Sequence, residues 1–230
     1  MQKKTKIILG TSAAVVVVLG VTAAVAGPVF YRDVIVGAPA AAPSVSAAPA
    51  DSTLDTSDLS GDWAIGTGST AGYRVDEVLN GTDVTVVGTT EDVTGTITVD
   101  GSTLSAATVT VDVASIATDQ PPRDSYFRDE AMQVSQFPDA TFTLTQPIDA
   151  AVPASGEVAT VDATGELTMH GVTQTVTVPL QAALSGDGVQ VSGSIPVTFS
   201  DYGVEAPDLG FVSVEDQGTV EFLVKATPAN

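Results

Sequence analysis

The sequence has no cysteine and one histidine, His170. Disulfides, a Cys/His zinc site, a cysteine nucleophile and a lipid-modified amino-terminal cysteine are therefore excluded. An exported domain of this kind must draw its stability from core burial alone. No strand–helix–strand unit of about 30 residues occurs, which argues against a parallel α/β sheet. Aromatic residues are scarce, with one Trp, four Tyr and seven Phe, and they offer little stacking surface for carbohydrate. Cations are scarcer still. All 28 acidic residues lie beyond Arg32, against only Arg74, Arg123, Arg128 and Lys225, and the net charge is −20. Such a surface repels nucleic acid and anionic headgroups, so no nucleic-acid partner is expected.

The catalytic signals are equally thin. No Gly-x-Ser-x-Gly elbow accompanies His170, and Leu167-Thr168-Met169-His170-Gly171-Val172-Thr173 reads as strand, turn and strand. Gly66-Thr67-Gly68-Ser69-Thr70-Ala71 formally fits a dinucleotide fingerprint, but Gly72-Tyr73-Arg74-Val75 continues as strand, so the stretch reads as a Gly/Ser loop. Carboxylates are too abundant for a glycosidase pair to be singled out by spacing. No EF-hand spacing is present. The expectation is a protein that is not an enzyme and holds no cofactor and no metal.

What is there divides into three parts. Residues 1–31 carry Lys3, Lys4 and Lys6, followed by an uncharged Ala/Val/Leu-rich run from Ile7 to Tyr31. A run of this length suits a single transmembrane anchor with the amino terminus in the cytoplasm and the remainder outside. Ala24-Val25-Ala26 also fits the cleavage site of a signal peptide, the alternative being a secreted protein. Residues 32–60 are rich in Ala, Pro, Ser, Thr and Asp with little to bury, the composition of a disordered linker.

Residues 61–230 alternate. Val109, Val111 and Val113 share one face, as do Ile195, Val197 and Phe199, and Val220, Phe222 and Val224, as half-buried antiparallel strands require. Strands are expected near 62–66, 72–79, 83–89, 93–99, 104–114, 140–146, 157–169, 172–182, 189–199 and 218–226. Asn80-Gly81, Asp100-Gly101 and Asp187-Gly188 mark hairpin turns. Asn80-Gly81-Thr82 also fits a glycosylation acceptor, though the turn already accounts for it. The fold class is all-β, a barrel or sandwich of about eight strands.

One stretch interrupts the strands. From Arg123 to Phe142, apolar Phe127, Met132 and Val134 lie among charges as on one face of a short helix, with Asp124 or Ser125 as its cap. Pro138 ends it, and Thr141 to Thr145 resume period-two alternation. The helix would cover one end of the β-structure. The rare cations Arg74, Arg123 and Arg128 either pair with acids such as Asp119, Asp124, Asp129 and Glu130 or face the polar head of a ligand at that mouth.

Three motifs in this order carry a family resemblance. Arg123-Asp124, Phe127-Arg128 and Phe137-Pro138-Asp139-Ala140-Thr141-Phe142 resemble the "RD…LR…YP…TF" signature of the YceI-like family. Leu167 to Val176 is similar to its "LT-x-HGVT-x-x-V" segment, and Asp201-Tyr202-Gly203-Val204 to its "DYG" segment. The match runs from Trp63 to about Ala226. Tyr126 stands where many members have histidine, Phe137 where many have tyrosine, and Phe199-Ser200 replaces an arginine before "DYG". Gly72 to Glu77 resembles actinobacterial members, here a membrane-anchored one. The resemblance implies a lipocalin-like antiparallel barrel that holds an amphiphilic lipid, an isoprenoid or quinone-like chain, in an apolar interior. The candidate ligand-binding residues are the rare cations Arg74, Arg123 and Arg128 and the large aromatics near the cap, Phe127, Phe137, Phe142 and Tyr202. A structural or protein-interaction module of the cell envelope, its barrel filled by side chains, is the alternative, and plain core packing is the alternative for each aromatic.

Overall fold

The computed structural model describes residues 38–45, 59–149 and 156–229. Eleven strands form one sheet: β1 (Gly61–Ile65), β2 (Thr70–Leu79), β3 (Thr82–Thr90), β4 (Val93–Asp100), β5 (Thr103–Asp112), β6 (Asp139–Leu144), β7 (Ile148–Asp149), β8 (Ala159–Met169), β9 (Val172–Ser185), β10 (Gly188–Thr198) and β11 (Val212–Pro228). All pairings are antiparallel, most of them between strands adjacent in sequence, while β1 pairs with β4, β7 pairs with β5, and β11 returns to pair with both β1 and β2. The sheet thus closes into a barrel, although β3 pairs as a strand with β2 alone and meets the other side only through the Thr89–Ala117 bridge.

Counting strands around the ring gives eight, because two of them are bent. β1 and β2 are halves of one strand, interrupted at Gly66–Ser69. There the backbone N–H of Gly66 donates to the Lys225 carbonyl (3.2 Å) and the N–H of Lys225 donates to Ser69 Oγ (2.9 Å). The glycine-rich stretch is therefore a bulge that keeps both halves on β11, with Ser69 fully buried. β3 and β4 are likewise halves of the next strand, which bends where the N–H of Asp92 turns back to Thr90 Oγ1.

The hairpin signals behave as their chemistry dictates, with two shifts, the first of which moves the Asp100-Gly101 turn to Gly101-Ser102, since Asp100 still pairs with Thr103. Asn80 and Gly81 adopt φ of 50° and 79°, and His170 and Gly171 adopt 50° and 74°, the left-handed pair that a two-residue hairpin needs. The third turn falls on Gly186-Asp187 rather than Asp187-Gly188. Gly186 takes the positive φ, and Gly188 lies inside β10 opposite Ser185, with the Ala226 carbonyl packed against its Cα.

Between β5 and β6 lies the expected short helix, α1 (Pro121–Tyr126), which passes into a wider π turn over Phe127–Ala131. Its start differs from expectation. Gln120 occupies the N-cap, and Pro121 and Pro122 open the helix, since proline gives up no needed N–H there. Asp124 is instead buried and accepts from the N–H (2.9 Å) and hydroxyl (2.7 Å) of Thr118, so it ties the preceding loop to the helix. The π turn, closed by Met132 N–H on the Phe127 carbonyl, places Phe127 and Met132 in one cluster with Val113, Ile116, Tyr73, Val134 and Ala140. This cluster plugs the barrel wall to the helix. A second cluster is built on Leu167, Val178, Ile195, Val197 and Tyr202, and a third on Trp63, Ile65, Val93, Val224 and Ala226.

Large rings in the wall sit over glycines. Phe222 lies directly opposite Gly193 across β10 and β11, where a Cβ would meet Phe222 Cζ at 2.6 Å. Phe142 lies over Gly165 of β8, where a Cβ would meet Phe142 Cε2 and the Thr143 carbonyl, each at 2.6 Å. Only glycine leaves these rings their place.

The expectation of a free linker does not hold over 38–45. Arg74 Nη2 donates to the Ala40 carbonyl (2.7 Å), and Val45 is buried. The expected anchor over residues 1–31 lies outside the described residues, as does 46–58. Among the described residues, no helix is long and apolar enough to cross a membrane.

Candidate functional site

The inward faces of the strands leave space. One cavity of about 180 Å³ lies under α1 and the segment 204–207, bordered by Tyr73, Glu77, Arg123, Phe127, Met132 and Tyr202 among others. A second, of about 350 Å³, fills the rest of the bore between Trp63, Val109, Phe142, Leu180, Leu184 and Val224. Both are bordered by Ala71, Val111, Ala140, Met169 and Val220, so they adjoin in the middle of the barrel. Together they fall in the ~300–1,000 Å³ range of small-molecule sites. The lining of the larger cavity is largely apolar because it collects inward-facing residues from most of the strands.

Polar groups gather at the helix end. Arg123 is held in two ion pairs, through Nη2 to Glu77 Oε1 at 3.2 Å and through Nη1 to Asp119 Oδ1 at 2.8 Å. Glu77 is only 6% exposed, an inward carboxylate near the end of β2 that needs this partner. Tyr73 stacks on Phe127, with ring centroids 4.8 Å apart and planes 20° apart. Burial pushes its phenol up to about 12; the Arg123 charge opposes the rise, and Asp124, Glu77 and Asp119 add to it. Burial, helped by Asp201, also raises Tyr202.

The residues expected at the site divide. Arg123, Phe127 and Tyr202 border the smaller cavity, and Phe142 the larger. Arg74 takes the ion-pair alternative. The alternation that turns Tyr73 and Val75 inward turns Arg74 outward, where its guanidinium grips Glu221 through Nε (2.7 Å) and Nη2 (3.1 Å). Although its residue borders the cavity, its charge is spent on the outer wall. Arg128 and Phe137 border neither cavity. Phe137 packs edge-on against His170 (4.8 Å, 68°) and over Gly171. His170 in turn donates from Nδ1 to the Tyr202 carbonyl at 3.1 Å, a bond that fastens the β8–β9 turn to the segment carrying Tyr202.

Tyr73, Glu77, Met132 and Met169 were missed as site residues. The signal for the first two was present. Period two counted back and forward from Val75 places Tyr73 and Glu77 on the inward face and Arg74 on the other. Met169 carries the same mark, since period two along β8 puts it on the face of Ala163 and Leu167.

The comparisons with known proteins agree with this geometry. A polyisoprenoid binding domain from Saccharophagus degradans implicated in plant cell wall breakdown superposes with a TM-score of 0.59 at 21% identity, covering 73% of this chain and 98% of that one. Burkholderia cenocepacia BcnA superposes with a TM-score of 0.51 at 24% identity, covering 71% and 96%. At these identities the likeness is one of fold. In sequence, Protein YceI of Salmonella arizonae and that of Salmonella newport are each 40% identical over 104 residues, 44% of this chain and 50% of theirs. The chain thus spans about half the length of these curated relatives. The profile of the YceI-like domain, by contrast, matches residues 63–226, from the first strand of the barrel to the last, and on that extent the chain belongs to the YceI-like family.

Proposed function

We propose that the barrel binds a long-chain lipid, isoprenoid or quinone-like, in its interior and carries it outside the cytoplasm. The observation that supports this is the pair of adjoining, largely apolar cavities inside the barrel wall, with Tyr73, Glu77, Arg123 and Tyr202 gathered at the helix end. A closed eight-stranded barrel either fills its bore with side chains or holds one ligand, and here space remains. A chain burying a few hundred Å² gains several kcal/mol at about 25 cal/mol per Å² before the costs of association. The polyisoprenoid binding domain of S. degradans shares the fold. No chemistry is assigned to the site, and among the described residues no three His, Asp or Glu side chains cluster to hold a metal.

The test is native mass spectrometry of the purified protein for co-purifying lipid, followed by loading with isoprenoid, quinone and fatty-acid probes. Failure of all of them would sink the carrier reading. The second reading, a protein-interaction module, is favoured by Leu209 and Phe211. They stand 54% and 58% exposed in the turn that follows the cavity-lining segment 204–207.

For location, the reading is a membrane-anchored protein of the actinobacterial type, with residues 1–31 retained as a single-pass anchor and the barrel extracytoplasmic. Three lysines ahead of an uncharged run support it. Intact protein released from membranes only by detergent is the expected result; a soluble form beginning at Gly27 would show signal cleavage instead.

A further inference from the structure

We propose that the turn carrying Leu209 and Phe211 is a membrane-docking edge, which sets the helix end of the barrel against the bilayer that anchors the chain. This rests on the retained-anchor reading above. Among the described residues the exposed large hydrophobics are Val158, Leu209 and Phe211, so two of the three share one turn. The backbone of that turn is braced. Leu209 N–H donates to the Val212 carbonyl (2.9 Å), Gly210 N–H to Asp208 Oδ1 (3.2 Å), Val214 N–H to the Pro207 carbonyl (3.0 Å) and Asn80 N–H to the Phe211 carbonyl (2.8 Å). Two large apolar side chains together on a fixed tip mark a contact surface, where single scattered ones do not.

The tether names the partner. Arg74 Nη2 holds the Ala40 carbonyl (2.7 Å) on the outer wall of the barrel. Ala40 stands nine residues after Tyr31, where the uncharged run ends. That stretch, fully extended, reaches about 30 Å at most. From Arg74 to Asn80, whose N–H holds Phe211, is about 20 Å along β2. The bound strap therefore lets the turn touch the bilayer and keeps the barrel from standing far off it. A free linker from Tyr31 to Gly61 would allow about 100 Å. Holding Ala40 thus keeps the bilayer at high effective concentration before the turn, an advantage no separate protein partner has. Glu205 and Asp208 flank the pair and are exposed, and no cation lies between Phe199 and Val224. The contact is accordingly with acyl chains and uncharged or zwitterionic head groups, not with anionic ones. Val204 to Pro207 line the smaller cavity just before the turn, so docking brings that end of the bore to the bilayer surface.

The experiment uses the full chain in phosphatidylcholine vesicles, with Phe211→Trp as the reporter. The native Trp63, 5% exposed, supplies the background. Flotation with the vesicles reads the anchor, and quenching by bromine on the acyl chains reads the docking. The new indole is expected to be quenched. Val158→Trp puts an indole just before β8, about 35 Å along that strand from the His170 turn, and should not be quenched. Adding Leu209→Ser to Phe211→Trp should lower the ratio of docked to free barrel about tenfold, the weight of one leucine side chain returned to water. A chain that floats but is quenched no more in Phe211→Trp than in Val158→Trp overturns the inference while the anchor stands. Quenching that Leu209→Ser leaves unchanged overturns it as well. An indole that is unquenched and becomes shielded as protein concentration rises assigns the turn to a second copy instead, and the inference falls. A chain that does not float loses the anchor reading and this inference with it.

Discussion

Replacing Phe142 by tryptophan tests whether the larger cavity is a binding site or merely loose packing. Phe142 faces the 350 Å³ cavity from β6, and its ring edge already rests on Gly165 and the neighbouring strand. The wall therefore has no room behind the ring, and the added ring of an indole must project into the bore. Aromatic side chains bury about 150–250 Å² each, so the indole occupies about 50 Å² more than the phenyl group. Taken from the surface a bound chain would bury, about 50 Å² at about 25 cal/mol per Å² is about 1.3 kcal/mol, or close to tenfold in Kd. The fold should tolerate the change, because the extra volume enters space rather than a filled core, at a cost under about 1.5 kcal/mol. Titration calorimetry with geranylgeranylacetone, paired with thermal unfolding, reads both quantities. If Phe142→Trp binds the probe as tightly as the parent while remaining folded, Phe142 is not a wall of the ligand site and the reasoning fails. Phe142→Ala is a weaker test, since loss of a core ring costs about 3–5 kcal/mol by itself.

Gly165→Ala should lower stability by about 1–3 kcal/mol, a fall of about 2–12 °C in Tm, because its methyl meets both Phe142 and the Thr143 carbonyl; adding Phe142→Leu should restore part of the loss, and a strictly additive double variant would argue against the contact. Tyr73 has a folded pKa raised from 10 to about 12, so the stabilisation its neutral form confers is complete below pH 10 and is lost as pH rises through about 12. That shift is worth about 3 kcal/mol, and alkaline unfolding should be less steep over this window in Tyr73→Phe; an unchanged profile would remove Tyr73 from the account. Arg74→Gln should free the 38–45 segment and leave Glu221, 6% exposed, without its partner. Faster proteolytic cleavage within 38–45 and a Tm lower by several degrees are expected, whereas an unchanged cleavage rate would show that the segment is held by other contacts.

The architecture was legible in the sequence because β-structure leaves a local record. Alternation at Val109-Val111-Val113 and Val220-Phe222-Val224 fixes which face of a strand is apolar, and Asn80-Gly81 and His170-Gly171 are among the few pairs that accept two left-handed residues in a row. The same period two, carried through from Val75, assigns Arg74 to the outer wall and Tyr73 and Glu77 to the bore. Its rarity as a cation alone does not say whether Arg74 meets a ligand or an acid; the strand's parity puts its guanidinium beside Glu221. Tertiary structure decided the rest. Local sequence does not say that Gly165 lies beneath Phe142, because that meeting depends on the β6–β8 register. Nor does it say that Arg123 reaches Glu77, 46 residues away, or that Arg74 holds both Glu221 and the Ala40 carbonyl. Whether the bore stays open is the least local property of all. It depends on how many strands close the ring and on the sum of inward side-chain volumes against the space they enclose, which no single segment encodes.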